Sequence, residues 1–240
     1  MVGPQAGVRN RLLAALPATE FEQIVPDLDV LPLKLKEFLH KQGDQVEYIY
    51  FPGDGFASVV LVLENGEMVE VATIGREGAV GVTAVLEGQP VPFASMVQGE
   101  ISICYRMKVE VFRREMGRRG GFYRLLTRYS QALVGFVMQS TGCNAVHTVE
   151  ERLSRWLLTA QDRMEATEFP MTQEFMAIML GVTRPTVTVI AGTLQKAGLI
   201  TYQRGRITIV DRGKLESASC ECYRATVKLL NSVIAAPVRG

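Results

Sequence analysis

A chain of 240 residues with 26 Lys+Arg against 25 Asp+Glu carries a formal net charge of +1, and 48% of it is apolar. That length suits two modest domains, and no apolar run approaches the roughly 18 residues of a membrane span. The near-neutral total excludes a chain that is basic throughout, though not one with a basic segment.

The opening, "MVGPQAGVRNRLLAAL", has too short an apolar stretch and too early an arginine pair for an export signal, so a cytoplasmic protein is expected. A short helix around Arg9 to Leu16 comes first. A second follows, for which Thr19 and Glu22 are spaced as a capping box. The pattern then turns to strands: "VLPLKL", "EYIYF", "FASVVLVLE", "EMVEVATI", "PFASMVQ" and "ISICYRM" are short, rich in Val, Ile and aromatics, and separated by turn signals such as Pro52-Gly53-Asp54-Gly55 and Asn65-Gly66. Many short strands in succession predict a barrel or jelly roll.

From Lys108 the period becomes helical, with a break at Gly120-Gly121. Beyond it Phe122, Leu126, Tyr129, Leu133, Phe136 and Ser140 recur at alternating steps of four and three, the spacing of a left-handed coiled-coil seam. This stripe predicts a dimerisation helix. Under three heptads leave open the alternative that it packs on its own chain, and Leu125, Ala132 and Val137 add a second apolar flank. Another helix, "TVEERLSRWLLTAQDRM", follows with Thr148 and Glu151 placed as a capping box, which sets a boundary near residues 144 to 149.

Charge is unevenly spread. Residues 1 to 150 hold 14 Lys+Arg against 17 Asp+Glu, a net of −3; residues 151 to 240 hold 12 against 8, a net of +4. Between Thr183 and Lys214 only Asp211 opposes Arg184, Lys196, Arg204, Arg206, Arg212 and Lys214. This segment contains the unit "MTQEFMAIMLGVTRPTVTVIAGTLQKAGLI", read as helix, Gly181 turn, helix. Ala177 is small where the helices cross, and Val187, Ile190 and Leu194 supply the buried face. Thr183 caps the second helix, with Arg184 and Pro185 in its first turn, where proline's missing N–H costs nothing. The predicted exposed face is Arg184, Pro185, Thr188 and Gln195, with Thr186 and Val189 at its edges. An arginine and hydroxyls at a helix N-terminus fit phosphates and guanine edges in a major groove. "LITYQRGRITIV" then predicts a hairpin with a basic tip at Arg204 and Arg206, a wing that reaches flanking backbone. A packed helical hairpin followed by a solvated strand pair is the alternative.

Together the strand-rich N-terminal half, the long helix and "MTQEFMAIMLGVTRPTVTVIAGTLQKAGLITYQRGRITI" resemble the Crp/Fnr family of bacterial transcription regulators, over roughly Leu12 to Leu215. "FLHKQGDQVEYIYFPGDGFASV" also resembles the family's early strands and glycine turns. The resemblance implies an α+β chain: an N-terminal double-stranded β-helix (jelly-roll) barrel of the cyclic-nucleotide-binding type over residues 1–118, a dimerisation helix and hinge over 119–145, and a winged helix-turn-helix with a C-terminal helical extension over 146–240. It implies a homodimer that reads a palindromic site in double-stranded DNA, with RNA polymerase as a further partner. No enzyme is expected, since no nucleophile, base and orienter cluster in the sequence. The contrasting expectation is a ligand-sensing or protein-interaction module with weak, non-specific DNA binding.

Several features depart from the family. The Gly-Glu and Arg-Ser or Arg-Thr pairs that hold a cyclic nucleotide are missing: Val82 follows Gly81, and Gly78 to Gly99 contains no lysine or arginine. A buried phosphate without a cation is expensive to desolvate, so cyclic AMP is not expected. The first cysteine is Cys104, so the N-terminal iron–sulfur cluster of some members is not expected either. His40 and His147 read as surface or turn residues rather than haem ligands, and Cys143 as a small buried residue near the end of the long helix. Cys220 and Cys222 form a Cys-x-Cys pair too small for a zinc site, so reduced thiols and no metal are expected. The basic cluster from Arg106 to Arg128 reads as a solvated helix face. Family members commonly place a glutamate and an arginine where this chain has Pro185 and Val189, so the usual operator does not transfer.

Overall fold

The computed structural model describes residues 4–82 and 89–235. Asn10 starts helix α1 (Arg11–Ala14): its Oδ1 accepts from the amides of Leu12 and Leu13, while its Nδ2 donates to the carbonyls of Pro52 and Gly78. Helix α2 (Ala18–Ile24) begins two residues earlier than expected, after Pro17 and without a side-chain cap, so the predicted Thr19 cap is corrected.

Seven strands follow: β1 (Leu28–Leu33), β2 (Phe38–His40), β3 (Tyr48–Pro52), β4 (Phe56–Val62), β5 (Met68–Ile74), β6 (Ala94–Gly99) and β7 (Ile101–Lys108). All six predicted strands are present. The three-residue β2 escaped the pattern because it is too short to show an alternation. The strands pair antiparallel in two sheets, β1-β7-β3 and β2-β6-β4-β5, giving the expected jelly roll as a sandwich that, among the described residues, does not close into a barrel. Strand β4 is buried on both sides. Ala57 and Val59 point into the sandwich core, whereas Phe56 and Val60, on the opposite side of the pleat, join a second core built by the C-terminal half.

Helix α3 (Val109–Gly117) leads to the 26-residue α4 (Gly121–Val146). The first amides of α4 are satisfied from a distance: the Glu20 carboxylate accepts from the Gly121 and Phe122 amides at 2.6 and 2.7 Å. Phe122, Leu126, Tyr129, Leu133 and Phe136 are buried in the chain's own sandwich core, Tyr129 donating its hydroxyl to the Ala79 carbonyl, and Ser140 is half-buried. The predicted dimer stripe is thereby corrected: it faces inward because it is the most apolar face of the helix and the sandwich offers the largest apolar surface to cover it.

After a break at His147, the capping box of Thr148 and Glu151 forms as predicted and opens α5 (Val149–Met164). Strand β8 (Glu168–Pro170), α6 (Gln173–Leu180), α7 (Arg184–Lys196), β9 (Ile200–Gln203) and β10 (Arg206–Ile209) follow, with sheet order β8-β10-β9. Helices α8 (Arg212–Ala218) and α9 (Cys222–Ala235) complete the described chain. Helix α9 folds back along α4, where a Cβ added to Gly135 would lie 3.0 Å from Leu229 Cδ2, so the missing side chain admits the close approach. Among the described residues no single helix is long and apolar enough to cross a membrane.

The two halves are joined by polar bonds as well as by the second core. Trp156 of α5 donates its indole N–H to Glu70 at 2.9 Å, Ser58 donates to the same carboxylate, and Arg163 pairs with Glu77 at 2.5 Å. Burial pushes the Glu70 carboxyl up to about 7, against the opposing pull of the Ser58 and Trp156 hydrogen bonds. Burial also pushes Glu77 upward, but the Arg163 guanidinium outweighs it and holds that carboxyl below its ordinary value.

Candidate nucleic-acid interface

Helices α6 and α7 cross at 105°, within the range of a helix-turn-helix. Thr172 caps α6 by accepting from the Phe175 amide at 3.2 Å. Gly181 ends it at φ +62°, and the Val182 amide donates to the Ala177 carbonyl at 3.0 Å, so the turn depends on a left-handed residue. Val187, Ala191 and Leu194 bury one face of α7 and Ile190 is half-buried, which leaves the first turn on the outside.

There Thr183, Arg184, Pro185, Thr188 and Val189 are exposed, Val189 at 69%, and Thr186 is half-buried. Thr183 occupies the cap position, but its hydroxyl bonds the Thr186 hydroxyl at 2.9 Å instead of a backbone amide, which corrects the predicted side-chain cap. The first-turn amides are therefore left for an outside acceptor. Arg184 enters no ion pair among the described residues. The Thr188 hydroxyl has two acceptors for its one proton, Gln173 Oε1 at 2.8 Å and the Arg184 carbonyl at 3.1 Å, which hold it at the surface between the two helices.

Gln195, although exposed, accepts the Tyr202 amide at 2.7 Å and so anchors the start of the wing. That bond, near the end of α7 farthest from Arg184, engages the amide oxygen of this predicted contact residue. The wing turns at Arg204 and Gly205, with φ of +49° and +75°, the two-residue turn whose twist matches its strands. Arg204 is exposed at the tip and forms no ion pair among the described residues. Arg206 pairs with Glu168 on β8, a third strand that the sequence pattern did not reveal. That partner holds half of the predicted basic tip against its own sheet.

The upstream basic cluster is partly answered by acids: Arg106 pairs with Asp29, Arg114 with Asp27 and Glu115, and Arg118 with Glu115. It forms a surface lattice on the N-terminal half.

Between the sandwich and α4 lies a cavity of about 250 Å³, lined by apolar side chains that include Val59, Ile74, Val82, Phe93 and Leu133. Among the described residues its one polar side chain is Ser95, whose hydroxyl is buried without a partner. Part of the cation-free stretch noted above, residues 83–88, lies outside the described residues; its sequence, "TAVLEG", brings no cation. This lining does not fit the anionic phosphate of a cyclic nucleotide. Next to it His40, expected at the surface, is buried with neither ring nitrogen partnered, and desolvation lowers it to about 4.

Comparison with known proteins matches both halves. Residues 30–119 fit the pattern of a cyclic nucleotide-binding domain, and residues 151–218 that of a Crp-like helix-turn-helix domain. The anaerobic regulatory protein of Pasteurella multocida (strain Pm70) is 25% identical over 213 residues, covering 82% of this chain and 76% of that protein. The global nitrogen regulator of Synechococcus elongatus is 23% identical over 193 residues, covering 75% and 86%. In fold, FixK2 from Bradyrhizobium japonicum superposes with a TM-score of 0.66 over 80% of this chain and 98% of that one, at 16% identity.

Proposed function

Because this chain belongs to the Crp/Fnr family, joining a cyclic nucleotide-binding domain to a Crp-like helix-turn-helix domain, we infer that it is a transcription regulator that binds palindromic DNA as a homodimer. The observation that carries this reading is the exposed first turn of α7, Arg184 to Val189, beside the exposed Arg204 of the wing. Arg184 donates a bidentate pair to a guanine edge, Thr188 and Val189 meet bases or a thymine methyl, and the free amides of the first turn hold a phosphate. Arg204 adds backbone attraction that carries little sequence information.

The second copy docks on the outer face of α4. Arg124, Thr127, Gln131, Val134, Met138, Thr141 and Ala145 are all exposed and recur at alternating steps of three and four. Val134 is 49% and Met138 68% exposed, apolar area with no cover in the single chain. The reading divides the chain into a sensor domain (1–118), a dimerisation helix and hinge (119–145) and a DNA-binding region (146–240). It places the protein in the cytoplasm with DNA and RNA polymerase, and assigns it no enzymatic step. An apolar effector, if the sensor has one, suits the cavity better than a nucleotide.

Selection of bound fragments from random duplex DNA tests the proposal. Enriched fragments are expected to carry two inverted half-sites about one helical turn, ~34 Å, apart. Enrichment of single or unrelated sites overturns it.

A further inference from the structure

Cys143, His147, Cys220 and Cys222 offer ligand atoms that all lie within 4.8 Å of one another. Cys143 and His147 stand one turn apart at the end of α4, so they share a face. Cys220 lies in the three-residue loop after α8, and Cys222 is the first residue of α9. Chain folding thus brings two pairs together: Cys143 Sγ lies 3.5 Å from Cys220 Sγ, and Cys222 Sγ 3.7 Å from His147 Nδ1. Two sulfurs each about 2.3 Å from one tetrahedral ion are about 3.7 Å apart, so these separations suit a single ion. A disulfide needs sulfurs about 2 Å apart, and a multi-iron cluster needs ligands spread around a larger body.

The surroundings fit the same purpose. The far nitrogen of His147, Nε2, lies 3.2 Å from a Glu221 oxygen, which leaves Nδ1 toward the sulfurs. A carboxylate behind the imidazole is the usual support of a metal-bound histidine. Gln139 donates its amide to Cys222 Sγ at 3.0 Å. Arg155 acts electrostatically on Cys143, and Arg152 on both Cys143 and Cys220. The three buried cysteines form a cluster of their own, apart from both apolar cores. Filling space with small residues would call for neither the carboxylate, nor the amide, nor the two guanidinium groups.

We propose that Cys143, His147, Cys220 and Cys222 form a Cys₃His site for one zinc-like divalent ion, which ties α9 to the end of α4. Three thiolates and one imidazole select a borderline-soft ion in tetrahedral geometry, and binding releases the three thiol protons to solvent. The complex then carries one net negative charge and the Glu221 carboxylate beside His147 a second, and the guanidinium groups of Arg152 and Arg155 offset the two. Arg152 also donates to the carbonyl of Leu180, the last residue of α6. The ion is therefore one side chain from the turn of the helix-turn-helix, and its occupancy sets how α7 is presented. This last step rests on the DNA-binding reading; the ion site does not.

The experiment uses the full chain, purified under reducing, oxygen-free conditions, with metal content measured and Co²⁺ titrated into the chelator-treated protein. One equivalent of metal per chain is expected, with the intense sulfur-to-cobalt and visible bands of a tetrahedral site. Cys143→Ser and Cys222→Ser should each lower occupancy at least tenfold, while Cys104→Ser, altered in the sandwich, keeps it. Circular dichroism identifies any variant that fails to fold, in which case the chelated wild-type chain decides. A wild-type chain that takes up no Co²⁺, a metal-free chain with a Cys143–Cys220 disulfide, or folded variants that bind as wild type does would each overturn the site. Zn²⁺-loaded and chelated wild type should differ at least tenfold in affinity for a selected site; equal affinities overturn the coupling and leave the ion site standing.

Discussion

At the residue scale, Arg184 and Arg204 are both exposed cations, yet the proposed function gives them different work. Arg184 projects from the first turn of a helix with unfilled amides, where a planar donor can lie against a base edge. Arg204 sits at positive φ on a hairpin tip, suited to a phosphate. Arg184→Ala is expected to cost about 1 to 3 kcal/mol and to relax preference at one base pair. Arg204→Asn keeps the left-handed turn, removes one charge, and should weaken binding evenly across sequences while lowering the salt slope by about one. Titrations of matched and scrambled duplexes at several salt concentrations measure both, and equal loss of preference in the two variants would refute the assignment. Gln195 is exposed too, yet its amide oxygen is already taken by the Tyr202 amide.

At the element scale, α4 carries two heptad-like stripes on nearly opposite faces. The stripe of Phe122, Leu126, Tyr129, Leu133 and Phe136 is the more apolar, so sequence periodicity picks it out first; folding spends it on the sandwich. The outer stripe through Val134 and Met138 is diluted by Arg124, Thr127 and Gln131, and is visible as a seam only once the inward face is known. Met138→Glu places like charges across the twofold axis of the proposed dimer and should cost it about 2 kcal/mol or more. Sedimentation of the purified chain checks this. A dimer as stable as wild type would remove the outer stripe from the interface. The helix-turn-helix was legible for the opposite reason: turn glycine, first-turn proline and apolar spacing are local signals, and each acts within a few residues of where it is read. Strand β8, three residues long and paired to β10 across the whole motif, left no such signal.

At the scale of the whole molecule, Glu70 of the sandwich and Trp156 of α5 meet across the junction of the two halves. The folded-state value of Glu70, about 7, lies above its ordinary 4.5, so its contribution is fully present below about pH 4.5 and is lost as pH rises through 7. Glu70→Gln keeps a neutral hydrogen-bonding side chain there and should be more stable than wild type at pH 8, by on the order of 1 to 3 kcal/mol, with the advantage vanishing near pH 4.5. Thermal melts of the two chains across that range provide the check; a difference constant with pH would show that the carboxyl does not titrate between the states. Sequence alone determined the order of the elements other than the short β2 and β8, the helix-turn-helix with its exposed arginine, and the lack of lysine or arginine between Gly78 and Gly99, because these follow from periodicity, local turn chemistry and composition. Only the tertiary structure decided which face of α4 is covered, which arginines are already paired, and that Cys143 and His147 meet Cys220 and Cys222. Contacts between residues far apart in the chain are set by how whole elements pack, and such packing leaves no periodic trace in either partner.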